Sequence, residues 1–190
     1  MSAGRGEPAR VVLRRFRRAD VPAVRALFAE PDVVQWNPGP PVLDAAAWVA
    51  DSNAGTGDAL FRTWAVADAA DDRFLGTVSV FGIRGGEAEV GYRVLAAETG
   101  RGVATAAVRA AVRRAADEIG VRAVRLQHAV DNPASCTVAD RAGFTLVGTL
   151  PGTEPYGDGR LHDEHLHRLD LPVPPDDARG ARRPWRRRRS

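Results

Sequence analysis

The stretch "ETGRGVATAAV" (residues 98–108) sets Gly100 and Gly102 around Arg101 and runs straight into small apolar residues. A helix N-terminus exposes unpaired N–H groups and the positive end of the backbone dipole, and glycine lets the main chain touch a ligand. A tight glycine turn at that place therefore suits phosphate. An isolated Gly-x-Gly can equally do no more than shape a strand-to-helix turn. Two familiar phosphate loops do not fit. A dinucleotide fingerprint needs a third glycine where Thr105 stands and an acid near Gly120 and Val121, and a P-loop needs a lysine, which the chain lacks altogether.

A second group lies in "DNPASCTVADRAGF" (residues 131–144). Asn132 is placed to cap a helix, Pro133 to occupy its first position, and Ser135 to aim its hydroxyl back toward the end of the preceding strand. Cys136, with His128 upstream, raises a thiol nucleophile, but a helical cysteine without an identified base partner is usually packing. In "HDEHLH" (residues 162–167), Asp163, His165 and His167 share a strand face at period two, a pattern that invites a metal. The string is not His-Glu-x-x-His and no third histidine is fixed nearby, so the expectation is no metal.

The elements that must position these groups follow from periodicity and punctuation. A strand at Val11–Phe16 precedes Asp20, a candidate N-cap, and a first helix carries Val24, Leu27 and Phe28. Pro31 and "NPGPP" (residues 37–41) break the chain, and Asp44 caps a second helix with Trp48 and Val49. Strands at Phe61–Asp68, Phe74–Ile83 and Ala88–Val94 form an antiparallel meander. A long helix from Gly102 to Ile119 presents Ala104, Ala107, Val108, Ala111 and Ala115 on one side, with Arg113–Asp117 and Arg114–Glu118 pairs on the other. A strand at Ala123–Val130, a short helix at Ala134–Ala142 ended by Gly143, and a closing strand pair complete the order. The expectation is an α/β (α+β) domain: a mixed, mostly antiparallel sheet of six to seven strands flanked by about four helices. Trp36, Trp48 and Trp64 are expected in the core or the cleft wall.

The 190 residues suit one domain, and such a chain buries roughly 70% of its unfolded surface. All 27 basic residues are arginine, a bias of composition rather than an arginine code. Residues 172–190 hold seven arginines against two aspartates, leaving twenty arginines against twenty-two acids in residues 1–171. The high isoelectric point therefore belongs to the tail, and the domain has no nucleic-acid footprint. Residues 1–10 and 172–190 read as disordered, with the domain between them at 11–171. The arginine-rich tail has the composition for weak contact with RNA, though a solvated end is the simpler reading. No apolar run spans a bilayer and a single cysteine excludes an internal disulfide, so a cytoplasmic protein without membrane partners is expected.

Taken in order, "LRRFRRADVPAV", "VGYRV", "TGRGVATAAV", "NPASCTVADRAGF" and "GDGRLHDEHLHRL" resemble the GNAT superfamily of N-acetyltransferases over about residues 11–170, most closely the ribosomal-protein N-terminal alanine acetyltransferase branch. The resemblance implies a GNAT fold and acetyl-CoA as cosubstrate. Its pantetheine arm would lie along Tyr92, Arg93 and Val94. Its pyrophosphate would lie on Gly100, Arg101, Gly102, Val103 and Ala104, with Thr99 and Thr105 beside it, and Asn132 would orient the arm. Thr99 replaces the usual arginine or glutamine of the loop, and Ala139 stands where many members carry a tyrosine acid. The resemblance then implies Ser135 as the group meeting the CoA sulfur and Glu89 as the base, although a strand glutamate without a catalytic role fits equally. Trp36, Asp163 and His165 are implied for the acceptor end.

The reaction so implied is direct attack of a primary amine on the thioester within a ternary complex. The acceptor is a protein N-terminus or, alternatively, a small-molecule amine such as an antibiotic, a polyamine or an amino acid. A non-catalytic acyl-CoA-binding module stands as the competing class, raised by Thr99 and Ala139, and family habit alone suggests a homodimer.

Overall fold

A computed structural model describes residues 9–36, 44–55 and 61–172. The expectations for the N-terminal residues up to 8, for "NPGPP" and for the arginine-rich tail from 173 lie outside the described residues.

Seven strands form one sheet in the order β1-β2-β3-β4-β5-β7-β6. They are β1 (Val11–Arg14), β2 (Arg62–Asp68), β3 (Phe74–Arg84), β4 (Glu87–Val94), β5 (Ala123–Ala129), β6 (Thr145–Leu150) and β7 (Glu164–Asp170). Every neighbouring pair is antiparallel except β4 and β5, which are parallel. That parallel pair is short. Register is kept only from Glu87 opposite Ala123 to Glu89 opposite Arg125, although β4 continues to Val94 and β5 to Ala129. Beyond Glu89 the facing edges of the two strands have no strand partner among the described residues.

Five α-helices cover the sheet, one more than expected: α1 (Val21–Phe28), α2 (Pro31–Trp36), α3 (Ala45–Ala54), α4 (Val103–Ile119) and α5 (Pro133–Ala142). The extra one is α2. Pro31 looks like a chain break in the sequence but occupies a helix's first position, where its missing N–H costs nothing.

Helix α4 packs on one face of the sheet through Ala107, Ala111 and Ala115, all fully buried, between Val103, Val108 and Val112. Small side chains let the helix approach β3 and β4 closely. Of its two expected surface pairs, Arg114–Glu118 forms at 2.6 Å, and Arg114 also lies over the Trp64 ring. On the other face, Phe16, Val24, Leu27, Val33 and Val49 build a second cluster with Ala65 and Phe74.

Asp20 does not cap α1 through its side chain. Its carboxylate is buried and accepts from Arg14 at 2.7 and 3.0 Å and from the Arg17 N–H at 2.7 Å. Burial alone would raise its pKa, but these donors outweigh burial and hold it below the usual carboxylate value.

Candidate active site

After β4 the chain makes a single 3-10 turn (Ala96–Glu98), then the loop Thr99–Gly102, then α4. Gly100 and Gly102 have φ of +78° and +81°, the left-handed region that side-chain-bearing residues disfavour. A Cβ at either glycine would meet nothing within 4 Å, so conformation rather than crowding calls for glycine. The Gly102 position offers α4 no side-chain cap. The N–H groups of the helix's first turn therefore face the adjoining cleft without an intrahelical partner.

That cleft has a volume of about 380 Å³ and is walled by the free end of β4 (Tyr92, Arg93, Val94), by Thr99, Gly100, Gly102, Val103, Ala104 and Thr105, and by Asn132 and Ser135 of the α5 entry. These are the residues expected to hold the cofactor, with one exception. Arg101 lies outside the cleft wall because its guanidinium turns back to Glu98 at 2.7 Å. Glu98 is itself buried and also engages Arg73, so loop acid and loop base neutralise each other. The Arg93 guanidinium sits 5.3 Å over the Phe28 ring, and burial pulls its pKa down to about 10, leaving it cationic at neutral pH.

A second cleft of about 440 Å³ joins the first, sharing Trp36, Tyr92, Arg93 and Ser135 with it. Its walls are aromatic and acidic: Phe61, Phe81 and Tyr156 together with Glu89, Glu154 and Glu164. At the junction the Tyr92 hydroxyl donates to Ser135 Oγ at 3.0 Å, and Asn132 Oδ1 accepts from the Ser135 N–H at 3.1 Å. Asn132 thus both caps α5 and fixes Ser135. Burial pushes the Tyr92 phenol up to about 12, so it stays protonated at neutral pH.

Burial also raises the Glu89 carboxyl, neighbouring Glu164 raises it further, and Arg125 opposes both. Tyr156 donates to Glu164 Oε1 at 2.6 Å, and burial with that bond raises the phenol well above its ordinary value. Trp36 meets Tyr156 and His162 edge-on, with ring centroids at 6.2 and 5.9 Å. His162 is held between Asp131 at 2.8 Å and Asp158 at 3.0 Å, and these partners raise its pKa.

Two residues expected at the acceptor end are elsewhere. Asp163 precedes β7, is exposed, and is absent from the cleft wall, where Glu164 stands instead. His165 points to the other face of β7, where it meets His128 and His167. The face of β7 that carries His165 and His167 is turned toward α5, so the alternate residue Glu164 is the one that reaches the cleft. Tyr92, expected to contribute only main chain, places its hydroxyl on Ser135. Spacing along β4 gives no clue to that contact, which depends on how α5 docks. Glu154 and Tyr156 come from an irregular segment and carried no signal.

The match to the acetyltransferase (GNAT) domain model covers residues 10–145. The chain belongs to the GNAT acetyltransferase family. No curated protein matches it in sequence. Among solved structures, the Mycobacterium smegmatis RimJ in complex with CoA-disulfide is 21% identical at a TM-score of 0.75, over 86% of each chain. The Vibrio cholerae spermidine N-acetyltransferase in complex with CoA and spermine is 20% identical at 0.74, over 85% of this chain and 95% of that one. A GNAT-family acetyltransferase from Bacillus anthracis is 18% identical at 0.74, over 86% and 96%.

As a GNAT protein the chain is an acetyl-CoA-dependent N-acetyltransferase, a reaction that needs no metal. This places it among enzymes rather than non-catalytic binding modules. The residues present fit the cosubstrate: a left-handed glycine turn under a helix N-terminus, and an unpaired strand edge leading from it to the junction of two clefts. Among the described residues no helix is long and apolar enough to cross a membrane.

Proposed function

We propose that the acceptor is a cationic primary amine, in the first place the α-amine of a protein N-terminus, held in the aromatic and acidic cleft and acetylated by direct transfer. The observation that carries this reading is the joining of that cleft, with Glu89, Glu154 and Glu164 in its wall, to the donor cleft at Tyr92 and Ser135. Carboxylates attract the ammonium form, and one of them must then take its proton before nitrogen can attack. Glu89 suits that step because its raised pKa brings it nearer to neutral. Bound acetyl-CoA supplies the thioester. The first-turn N–H groups of α4 would hold its diphosphate, and the free edge of β4 would hold its amide-bearing arm.

Ser135 is oriented for the leaving sulfur. Tyr92 donates into the Ser135 oxygen, so the Ser135 hydroxyl proton is directed elsewhere and is available to a developing thiolate. The Tyr92–Ser135 pair thereby takes the place of the tyrosine acid absent at Ala139, which is fully buried in the core. The unpartnered edge of β5 beyond Arg125 favours a peptide, since it offers main-chain groups to an extended chain behind the amine. A linear polyamine is a second reading, favoured by the third carboxylate, Glu154, which one α-amine does not require.

Thiol release from acetyl-CoA, followed by mass spectrometry of the products, tests both. Peptides with N-terminal Ala or Ser are offered beside spermidine and acetylated-N-terminus controls. Transfer to the free α-amine, absent from the blocked control, is the expected result. Turnover with spermidine alone would overturn the N-terminal reading and leave the amine chemistry intact.

A further inference from the structure

Against the acceptor cleft, whose wall includes His128, Cys136 of α5 and His128, His165 and His167 of β5 and β7 bring one ligand atom each within 4.8 Å of one another. The register accounts for it. His128 lies opposite His165 and Leu126 opposite His167, so all three imidazoles leave the sheet on one face, and Cys136 comes down on them from the first turns of α5. The third histidine that the sequence does not place next to "HDEHLH" is supplied across the strand pair. Asp163 takes no part.

The bonding of the cluster points to a cation. His128 Nδ1 is 2.8 Å from the Ala129 carbonyl, which only accepts, so Nδ1 carries the proton and Nε2 presents a bare lone pair inward. A ring nitrogen fixed in this way by a carbonyl is the usual support of a metal-bound imidazole. Nε2 meets His167 Nε2 at 3.1 Å, and His167 Nε2 lies 4.0 Å from Cys136 Sγ. A tetrahedral Zn²⁺ with ordinary bond lengths has N···N edges of about 3.3 Å and N···S edges of about 3.6 Å, so these two separations are close to a zinc site's, while the wider ones, up to 4.8 Å, close by side-chain rotation when the ion binds. His167 is fully buried, and the Nδ1 atoms of His165 and His167 have no hydrogen-bond partner among the described residues. Three packed imidazoles with unmet polar atoms form an unfavourable core unless something satisfies them.

We propose that His128, His165, His167 and Cys136 form a structural Zn²⁺ site that fastens the start of α5 to β5 and β7. The set is closed, with four protein ligands, and three imidazoles with one thiolate suit Zn²⁺. Cys136 directly follows Ser135, so the ion fixes the turn that carries Ser135 and Asn132 without touching the reacting atoms.

The test uses the full chain carrying no histidine tag. After incubation with ZnSO₄ and gel filtration, elemental analysis is expected to find one zinc per chain. Co²⁺ in its place is expected to give intense tetrahedral d–d bands and a thiolate-to-cobalt charge-transfer band. Cys136→Ser should abolish the charge-transfer band while retaining the fold by circular dichroism. His167→Gln should lower metal retention at least tenfold, and Asp163→Asn should leave both readouts unchanged. Retention below about a tenth of an equivalent by the wild-type chain, or a cobalt spectrum unaltered in Cys136→Ser, would overturn the site. Neither result bears on acetyl transfer, which is read separately.

Discussion

The two clefts that meet at Ser135 are made of different material. The proposed donor side offers main chain along the free edge of β4, the left-handed loop and the first turn of α4, with α2 and α5 closing its flanks. The acceptor side is side chain, gathered from α2, β3, β4, β5, β7 and the irregular segment around residues 153–156. Backbone recognition tolerates change in any residue that keeps φ and ψ. Side-chain recognition is lost with single atoms. The donor side should therefore break only through its glycines, and the acceptor side through any of several substitutions.

Replacing the base is the sharpest test. Glu89→Gln is expected to lower kcat/KM by about 10²- to 10³-fold, the usual scale for general-base removal. A base must be ionised, so if Glu89 has that role wild-type kcat/KM should rise with pH through a carboxyl that burial has moved above its ordinary value. That limb should flatten in the variant, and an unchanged pH profile would remove Glu89 from the mechanism.

Next comes Gly102→Val. Holding a β-branched residue at φ +81° involves strain of about 1–3 kcal/mol, which the empty loop sheds by leaving that conformation and the cosubstrate must restore, so acetyl-CoA should bind roughly 10- to 100-fold more weakly by calorimetry, with the acceptor KM little changed. Tyr92→Phe removes the hydrogen bond to Ser135 but leaves the ring, and a fall of about tenfold in kcat is expected at unchanged acetyl-CoA affinity. A fall in affinity instead would show that the Tyr92 hydroxyl itself contacts the bound cosubstrate. Smallest of all, Arg101→Ala removes an exposed guanidinium from buried Glu98, which keeps Arg73, and acetyl-CoA affinity should move by no more than about twofold. A larger loss would show that Arg101 leaves Glu98 to meet the diphosphate.

The same contrast explains what was legible in the sequence. Gly100 and Gly102 were readable because a helix mouth needs particular residue types at fixed spacing, and the Asn132-Pro133 cap was readable on the same ground. The meander and α4 followed from periods of two and 3.6. The acceptor wall has no such local grammar. Glu154 and Tyr156 reach it from a segment without periodicity, and Glu164 stands there in place of Asp163 because the histidine face of β7 is turned toward α5, which period two alone does not decide. The cluster of His128, Cys136, His165 and His167 depends on β5–β7 register, which no local window contains. Helix α2 was hidden by Pro31, since a proline starts a helix or stops one according to the residues on its C-terminal side.

The short pairing between β4 and β5 has a mechanical implication. Three residue pairs are all that join the four-stranded and three-stranded halves of the sheet. An amide-bearing ligand lying between the diverging strands would act as a missing rung, making acetyl donor and scaffold one elastic body. Heat resistance would then climb with donor concentration by mass action, and emptying the gap would hand the two halves back a hinge.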